Sequence, residues 1–115
     1  MLSELKQEKI NALKAERDSK EVEPIVYQGC SFDYDDKARD RINAAIIALE
    51  LQGDEATISW TTADNRDAIV TAADLRAIVA AVAVRSNLLH IAYRKAKAQV
   101  EAAGTAEEVR AICME

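Results

Sequence analysis

The residues with the clearest chemical potential form a run of carboxylates, Asp33, Asp35 and Asp36, with Asp40 one helical turn further on. Carboxylate oxygens bind hard cations, so a small metal-dependent enzyme built on Asp33, Asp35, Asp36 and His90 is one interpretation. An EF-hand loop, however, needs alternating acids, a central glycine and a closing glutamate, and this segment lacks that pattern. We favour a helix start, in which Asp33 accepts hydrogen bonds from free N–H groups while Asp35 and Asp36 interact with the helix dipole.

The remaining candidates for chemistry are a single histidine and two cysteines. His90 has no serine or cysteine beside it in a recognisable catalytic motif, so we interpret it as a packing or surface residue. Cys30 and Cys113 lie far apart without a CxxC or Cys/His cluster, and we interpret both as ordinary thiols. The sequence therefore predicts no catalytic residue, no metal site and no cofactor.

Composition restricts the class of partner. The chain has 115 residues, a net charge of −5 and 50% apolar residues. This length predicts one domain, residues 1–115. Nucleic-acid interfaces are usually basic, so nucleic acid is not an expected partner. No uninterrupted apolar run reaches the roughly 18 residues of a membrane span, and the N-terminus lacks the apolar core of a signal peptide. We expect no membrane partner and a location in the cytoplasm after synthesis.

The elements that must position these residues change type along the chain. Residues 1–22 are rich in strong helix formers, and Pro24 ends that helix because the residue before proline is disfavoured in helical geometry. Residues 25–71 predict a β-hairpin with a positive φ at Gly29, a middle helix that stops at Gly53, and a second hairpin. The two hairpins could join in one antiparallel sheet.

The last part of the chain, residues 72–113, predicts a long helix followed by a short one. Thr71 and Asp74 have the spacing of a capping box, and no glycine or proline follows until Gly104. Taken together, the elements predict an α+β fold, with long helices packed on two small antiparallel hairpins.

The long helix carries an apolar stripe with the alternating steps of four and three that are typical of coiled coils. Its members are Leu75, Val79, Val82, Ser86, Leu89, Tyr93, Ala96, Val100 and Ala103. A helix of about 32 residues is about 48 Å long, whereas a compact chain of this size is about 34 Å across. We therefore expect the helix to extend beyond its own domain and to form a homo-oligomer. The predicted protein-interaction residues are Leu75, Val79, Val82, Leu89, Tyr93 and Val100.

Three segments carry a resemblance to a known family: Tyr-x-Gly-x-x-Phe-Asp from Tyr27 to Asp33, Trp-Thr-x-x-Asp-Asn from Trp60 to Asn65, and Ala-Ala-x-Thr-x-Glu-Glu from Ala102 to Glu108. With the flanking sequence from about Ile10 to Ile112, the chain resembles a phage domain of unknown function. That domain is found towards the C-terminus of many tail-fibre and tail-fibre-assembly proteins of tailed phages and prophages.

The resemblance implies a non-enzymatic role, either as an assembly chaperone or as a structural part of the tail, and brings no catalytic residues. It implies phage tail or tail-fibre proteins as partners, and a location in the host cytoplasm during assembly or in the virion tail. Members of the family usually carry this domain behind a variable N-terminal region, whereas here Met1 almost begins it. We therefore expect either a stand-alone short version or a fragment.

Overall fold

The computed structural model describes residues 1–114 and has an α+β fold, as predicted. The helices and strands in chain order are α1 (Leu2–Glu21), β1 (Ile25–Tyr27), β2 (Cys30–Phe32), α2 (Asp36–Gln52), β3 (Thr57–Thr61), β4 (Asp67–Thr71), α3 (Ala72–Ala102) and α4 (Ala106–Ala111). They divide into two compact units. The hairpin unit comprises residues 22–84, and the helical unit comprises residues 1–21 together with the chain from residue 85 onward.

In the hairpin unit, β1 and β2 form the first antiparallel hairpin, with Ile25 opposite Phe32. Both turn residues have a positive φ, 50° at Gln28 and 78° at Gly29. This pair of conformations is that of a type I′ turn, which matches the right-handed twist of the two strands. The predicted role of Gly29 is confirmed, because glycine adopts a positive φ without steric cost.

The second hairpin pairs β3 with β4, and Trp60 lies opposite Ala68. The two hairpins form separate two-stranded sheets, so the expectation of one joined sheet is wrong. Between them, the Ala63 N–H donates to the Ser31 carbonyl at 2.7 Å. This is a single hydrogen bond and not a ladder of strand pairing, because Ala63 lies in the turn of the second hairpin and not in a strand.

The core of the hairpin unit forms where both hairpins and α2 pack on the first half of α3. Its buried members are Phe32, Ile42, Leu49, Trp60, Val70, Ala72, Leu75 and Ile78. α2 ends at Gly53, whose φ of 117° and N–H bond to the Leu49 carbonyl stop the helix as predicted. The helix therefore ends at its glycine signal, with its apolar side on the hairpins.

In the helical unit, α1 runs antiparallel to the second half of α3. The Lys6 ammonium donates to the Glu101 carbonyl at 2.9 Å, and the Arg17 guanidinium lies 4.5 Å above the ring of Tyr93. The buried core of this unit contains Leu13, Tyr93, Ala96, Val100, Ala103 and Val109. α1 and α4 therefore cover the second half of α3. The comparison of helix length with domain diameter had predicted that α3 extends beyond its own domain.

Among residues 1–114, α3 is the one helix that is long and apolar enough to cross a membrane by length and composition. Only 17% of its apolar window is buried, although α3 contributes Leu75 to one core and Val100 to the other. The expectation that the chain has no membrane partner stays a prediction.

Candidate interaction surface

The acid run begins α2, but with a different cap from the predicted one. The side chain of Asp35, not Asp33, accepts the Ala38 N–H at 2.9 Å, and Asp36 is the first helical residue, 3.7 Å from Arg39. The cap moves two residues along because Tyr34 packs against the hairpin core, which keeps residues 33 and 34 outside the helix. The run therefore works as a helix start, with Asp33 exposed before it.

The other candidates for chemistry do not converge on one place. His90 is exposed on α3, and Cys30 and Cys113 are free thiols. Within residues 1–114 no three His, Cys, Asp or Glu side chains are grouped closely enough to hold a metal ion. The geometry of the described residues thus directs attention to surfaces rather than to a catalytic cluster.

The stripe predicted to contact another protein lies largely inside the fold. Leu75, Val82, Tyr93 and Val100 are buried in their own chain. The other two predicted contact residues, Val79 and Leu89, are partly buried. The length argument is corrected here, because it compared the helix with a sphere and took no account of α1, which contributes Leu13 to the same core as Tyr93 and Val100.

Ser86, the polar interruption of the stripe, has a structural role. Its hydroxyl donates to a carboxylate oxygen of Glu21 at 3.1 Å, and the Arg85 guanidinium donates to the Glu21 carbonyl at 2.9 Å. Carbonyls in the last turn of a helix lack helical partners, and the Arg85 guanidinium supplies one to the Glu21 carbonyl at the end of α1. A polar residue at this step of the stripe therefore joins α1 to α3.

A second face of α3 remains exposed. Val84, Leu88 and Ile91 are 61%, 60% and 55% exposed, and the exposed Lys95 follows one turn later. Steps of four, three and four residues place all four side chains along one side of the helix. We call these four residues the α3 ridge. Leu88 and Ile91 were not among the predicted interaction residues, although their helical spacing with Val84 is visible in the sequence.

The start of α3 is fixed by a hydrogen-bonded network that includes β1. The Thr71 N–H donates to the Asp74 carboxylate at 2.9 Å, and the Asp74 N–H donates to the Thr71 hydroxyl at 3.1 Å. This reciprocal pair is the predicted capping box. The Tyr27 hydroxyl donates to the other carboxylate oxygen of Asp74 at 2.9 Å.

This network shifts two pKa values in opposite directions. The Thr71 N–H holds the pKa of Asp74 below its ordinary value against the opposing effect of partial burial, and the Tyr27 hydroxyl acts in the same direction. The carboxylate of Asp74 raises the pKa of Tyr27, because the hydroxyl is a donor in this bond and its anion would face a negative charge.

The Asp74→Asn variant tests the network through pH. A depressed folded-state pKa stabilises the protein above the unfolded-state pKa, near 4, and the contribution is lost as pH falls through the folded-state value. We expect the variant to be less stable than wild type by about 1 kcal/mol at pH 7, with the difference shrinking below about pH 4. Urea unfolding at a series of pH values measures it. A difference that stays constant down to pH 2 would show that the charge of Asp74 is not involved.

A family comparison covers nearly the whole chain. The model of a domain of unknown function, DUF4376, matches residues 4–112. The chain belongs to this family. No curated protein and no solved structure gives a significant match. The family description names no function, so the relation to phage tail proteins that the sequence segments suggested stays a prediction.

In this DUF4376 domain, the first two segments that carry the phage resemblance are hairpin features. Residues 27–33 form the type I′ turn and bring Phe32 into the core. In residues 60–65, the buried Thr62 lies in the turn of the second hairpin, where its hydroxyl accepts the Arg66 N–H at 3.1 Å and hydrogen-bonds the Asp64 carboxylate. That hydroxyl lowers the pKa of Asp64, although partial removal from water opposes the shift.

The third segment forms the junction between α3 and α4. The Thr105 hydroxyl accepts the Glu108 N–H at 3.2 Å, and the Glu108 carboxylate accepts the Gly104 N–H at 3.0 Å. Ala103 is buried beside Val109 in the helical core. The three segments that carry the phage resemblance therefore form turns and caps, and the candidate functional surface lies elsewhere, on the α3 ridge.

Proposed function

We propose that this chain is a non-enzymatic phage or prophage tail protein that acts by protein–protein interaction, in tail-fibre assembly or as a structural part of the tail. The observation that supports a binding role is the α3 ridge. Its three large aliphatic side chains are more than half exposed on one side of the helix. The assignment to the tail comes from the resemblance of the segments at residues 27–33, 60–65 and 102–108.

The ridge is suited to protein contact because its aliphatic groups gain about 25 cal/mol for each Å² removed from water. Exposed apolar side chains are individually common, but a contiguous row on one helix face is typical of interaction sites. The row also has low ordering cost, because α3 is held by both cores and its backbone does not need to fold on binding.

The partners that fit this proposal are other subunits of the tail or tail fibre, including further copies of this chain. The protein would meet them in the host cytoplasm during assembly, and would remain in the particle if it is a structural part. The rival proposal, a metal-dependent enzyme using Asp33, Asp35 and Asp36, has less support, since Asp35 and Asp36 serve the start of α2.

A deletion and complementation experiment in the phage or prophage that carries the gene tests this proposal. We expect deletion to reduce the number of fibres per particle in electron micrographs and to reduce adsorption to host cells. Wild type should restore both, and Leu88→Asp should not, because a charge on the ridge prevents apolar contact.

The matched control is Asn87→Asp, which adds a charge at the neighbouring exposed position outside the ridge and should complement fully. Mass spectrometry of purified particles then separates a structural part, which is present, from a chaperone, which is absent. Normal fibres after deletion, or full complementation by Leu88→Asp, would contradict the proposed role.

A further inference from the structure

A second exposed row of side chains lies on α2. Ile47 and Leu51 are 63% and 86% exposed, and the exposed Asp40 and Ala44 precede them on the same side of the helix. We call these four residues the α2 ridge. Its steps from Asp40 to Leu51 are four, three and four residues, the same steps that separate the members of the α3 ridge.

The two ridges also match in charge when they run in opposite directions. The α2 ridge has its acid at the N-terminal end, and the α3 ridge has its base at the C-terminal end. Each ridge is about 16 Å long at 1.5 Å per residue. We propose that the α2 ridge of one copy packs antiparallel on the α3 ridge of a second copy. The paired side chains are then Leu51 with Val84, Ile47 with Leu88, Ala44 with Ile91, and Asp40 with Lys95.

Other pairings of the same surfaces are less favourable. A parallel arrangement places Lys95 against Leu51 and Asp40 against Val84, which removes two charges from water without a partner. Two α3 ridges packed in parallel bring the Lys95 side chains of both copies together, and packed antiparallel they place each Lys95 against Val84 of the other copy without an acidic partner. Since only the α2 ridge offers Lys95 an acid, charge favours the unlike pair of ridges.

Asp40 can exchange its present partner. It lies 3.5 Å from the guanidinium of Arg39, and both side chains are largely exposed. Exposed pairs of this kind contribute little, because water screens them and two long side chains must be held in place. Contact with Lys95 at the edge of an apolar interface excludes some of that water, which strengthens the new pair.

The size of the contact indicates a weak association. Six aliphatic side chains and one ion pair bury a few hundred Å² on each copy, compared with roughly 800 Å² per partner in a standard interface. Because the two ridges are different surfaces, the contact is heterologous and each copy has one ridge of either kind to offer. This inference rests on the proposed function only in that both require association between proteins.

A charge exchange tests the pairing, with sedimentation velocity over a range of protein concentrations as the measurement. We expect the average mass of wild type to rise with concentration. Lys95→Asp and Asp40→Lys should each weaken association about 10-fold, because attraction becomes repulsion. An equal mixture of the two variants, or the double variant, should restore association, because each new acid then faces a new base. Lys14→Asp makes the same charge change on the exposed face of α1 and should have no effect.

Cysteine pairs test the register. In a Cys30→Ser, Cys113→Ser background, mixing Leu88→Cys copies with Ile47→Cys copies should give a disulfide-linked heterodimer under mild oxidation. Leu88→Cys alone should stay unlinked. Ile47 and Leu88 are exposed, whereas Cys30 is partly buried, so circular dichroism and thermal melting of the background and of each variant check that it remains folded.

The outcomes separate this inference from the proposed function. A monomeric wild type at every concentration, no recovery in the exchanged pair, or crosslinking of Leu88→Cys alone would overturn the proposed pairing. If Leu88→Asp still fails to restore tail fibres in that case, the ridge binds a different tail protein and the proposed function stands.

Discussion

Replacing Leu75 with alanine should lower the free energy of unfolding by about 3–5 kcal/mol. Leu75 has no exposed surface and packs in the core of the hairpin unit with Ile42 and Trp60. Truncating a fully buried leucine removes the transfer free energy of its methyl groups and leaves a cavity that neighbouring side chains fill only in part. Urea or guanidinium unfolding followed by the fluorescence of Trp60 reports on this core directly.

The matched control is Leu88→Ala, the same substitution on the same helix at a side chain that is 60% exposed. It should change the free energy of unfolding by less than about 0.5 kcal/mol. If instead the two leucines cost the same, the stripe that contains Leu75 would not be an internal packing surface, and the assignment of inner and outer faces of α3 would be wrong.

The second large effect is expected at Tyr93, in the helical unit. Tyr93 is 6% exposed and lies under the Arg17 guanidinium, with Leu13 in the same core. Tyr93→Ala should cost about 3 kcal/mol, from the lost apolar area and cavity together with the lost cation–π contact. Hydrogen exchange resolves the effect along the chain, and we expect faster exchange in α1 and in the second half of α3.

Ile91→Ala is the control, because Ile91 lies two residues away and is 55% exposed. It should leave exchange rates in α1 unchanged. A Tyr93→Ala variant that keeps its stability but no longer associates would contradict the structure, since it would place Tyr93 on an outer contact surface, as the spacing argument predicted.

These two pairs of variants bear on function because they separate folding from binding. Loss of tail fibres in a Tyr93 variant would reflect an unstable protein, whereas loss in a Leu88 variant would reflect a missing contact. The same distinction applies to the predicted interaction residues. Leu75, Val82, Tyr93 and Val100 are buried in the fold. The α3 ridge, in contrast, is exposed.

Much of the local structure followed from short stretches of sequence. The capping box at Thr71, the turn at Gly29 and the helix stop at Gly53 were all predicted from the sequence. Each depends on hydrogen bonds between residues three or four apart, or on the freedom of glycine to adopt a positive φ. Such interactions need no knowledge of the rest of the chain, and they are sufficient to determine the order of elements and the α+β class.

The location of the candidate site was decided by tertiary structure. α3 has two apolar faces, one through Leu75 and Val100 and one through Leu88, and helical periodicity reveals both without indicating which is covered. The choice depends on contacts such as that of Lys6 with Glu101, which join residues 95 positions apart. A long-range contact of this kind leaves no periodic signal, because it depends on how separate elements pack and not on the spacing within any one of them.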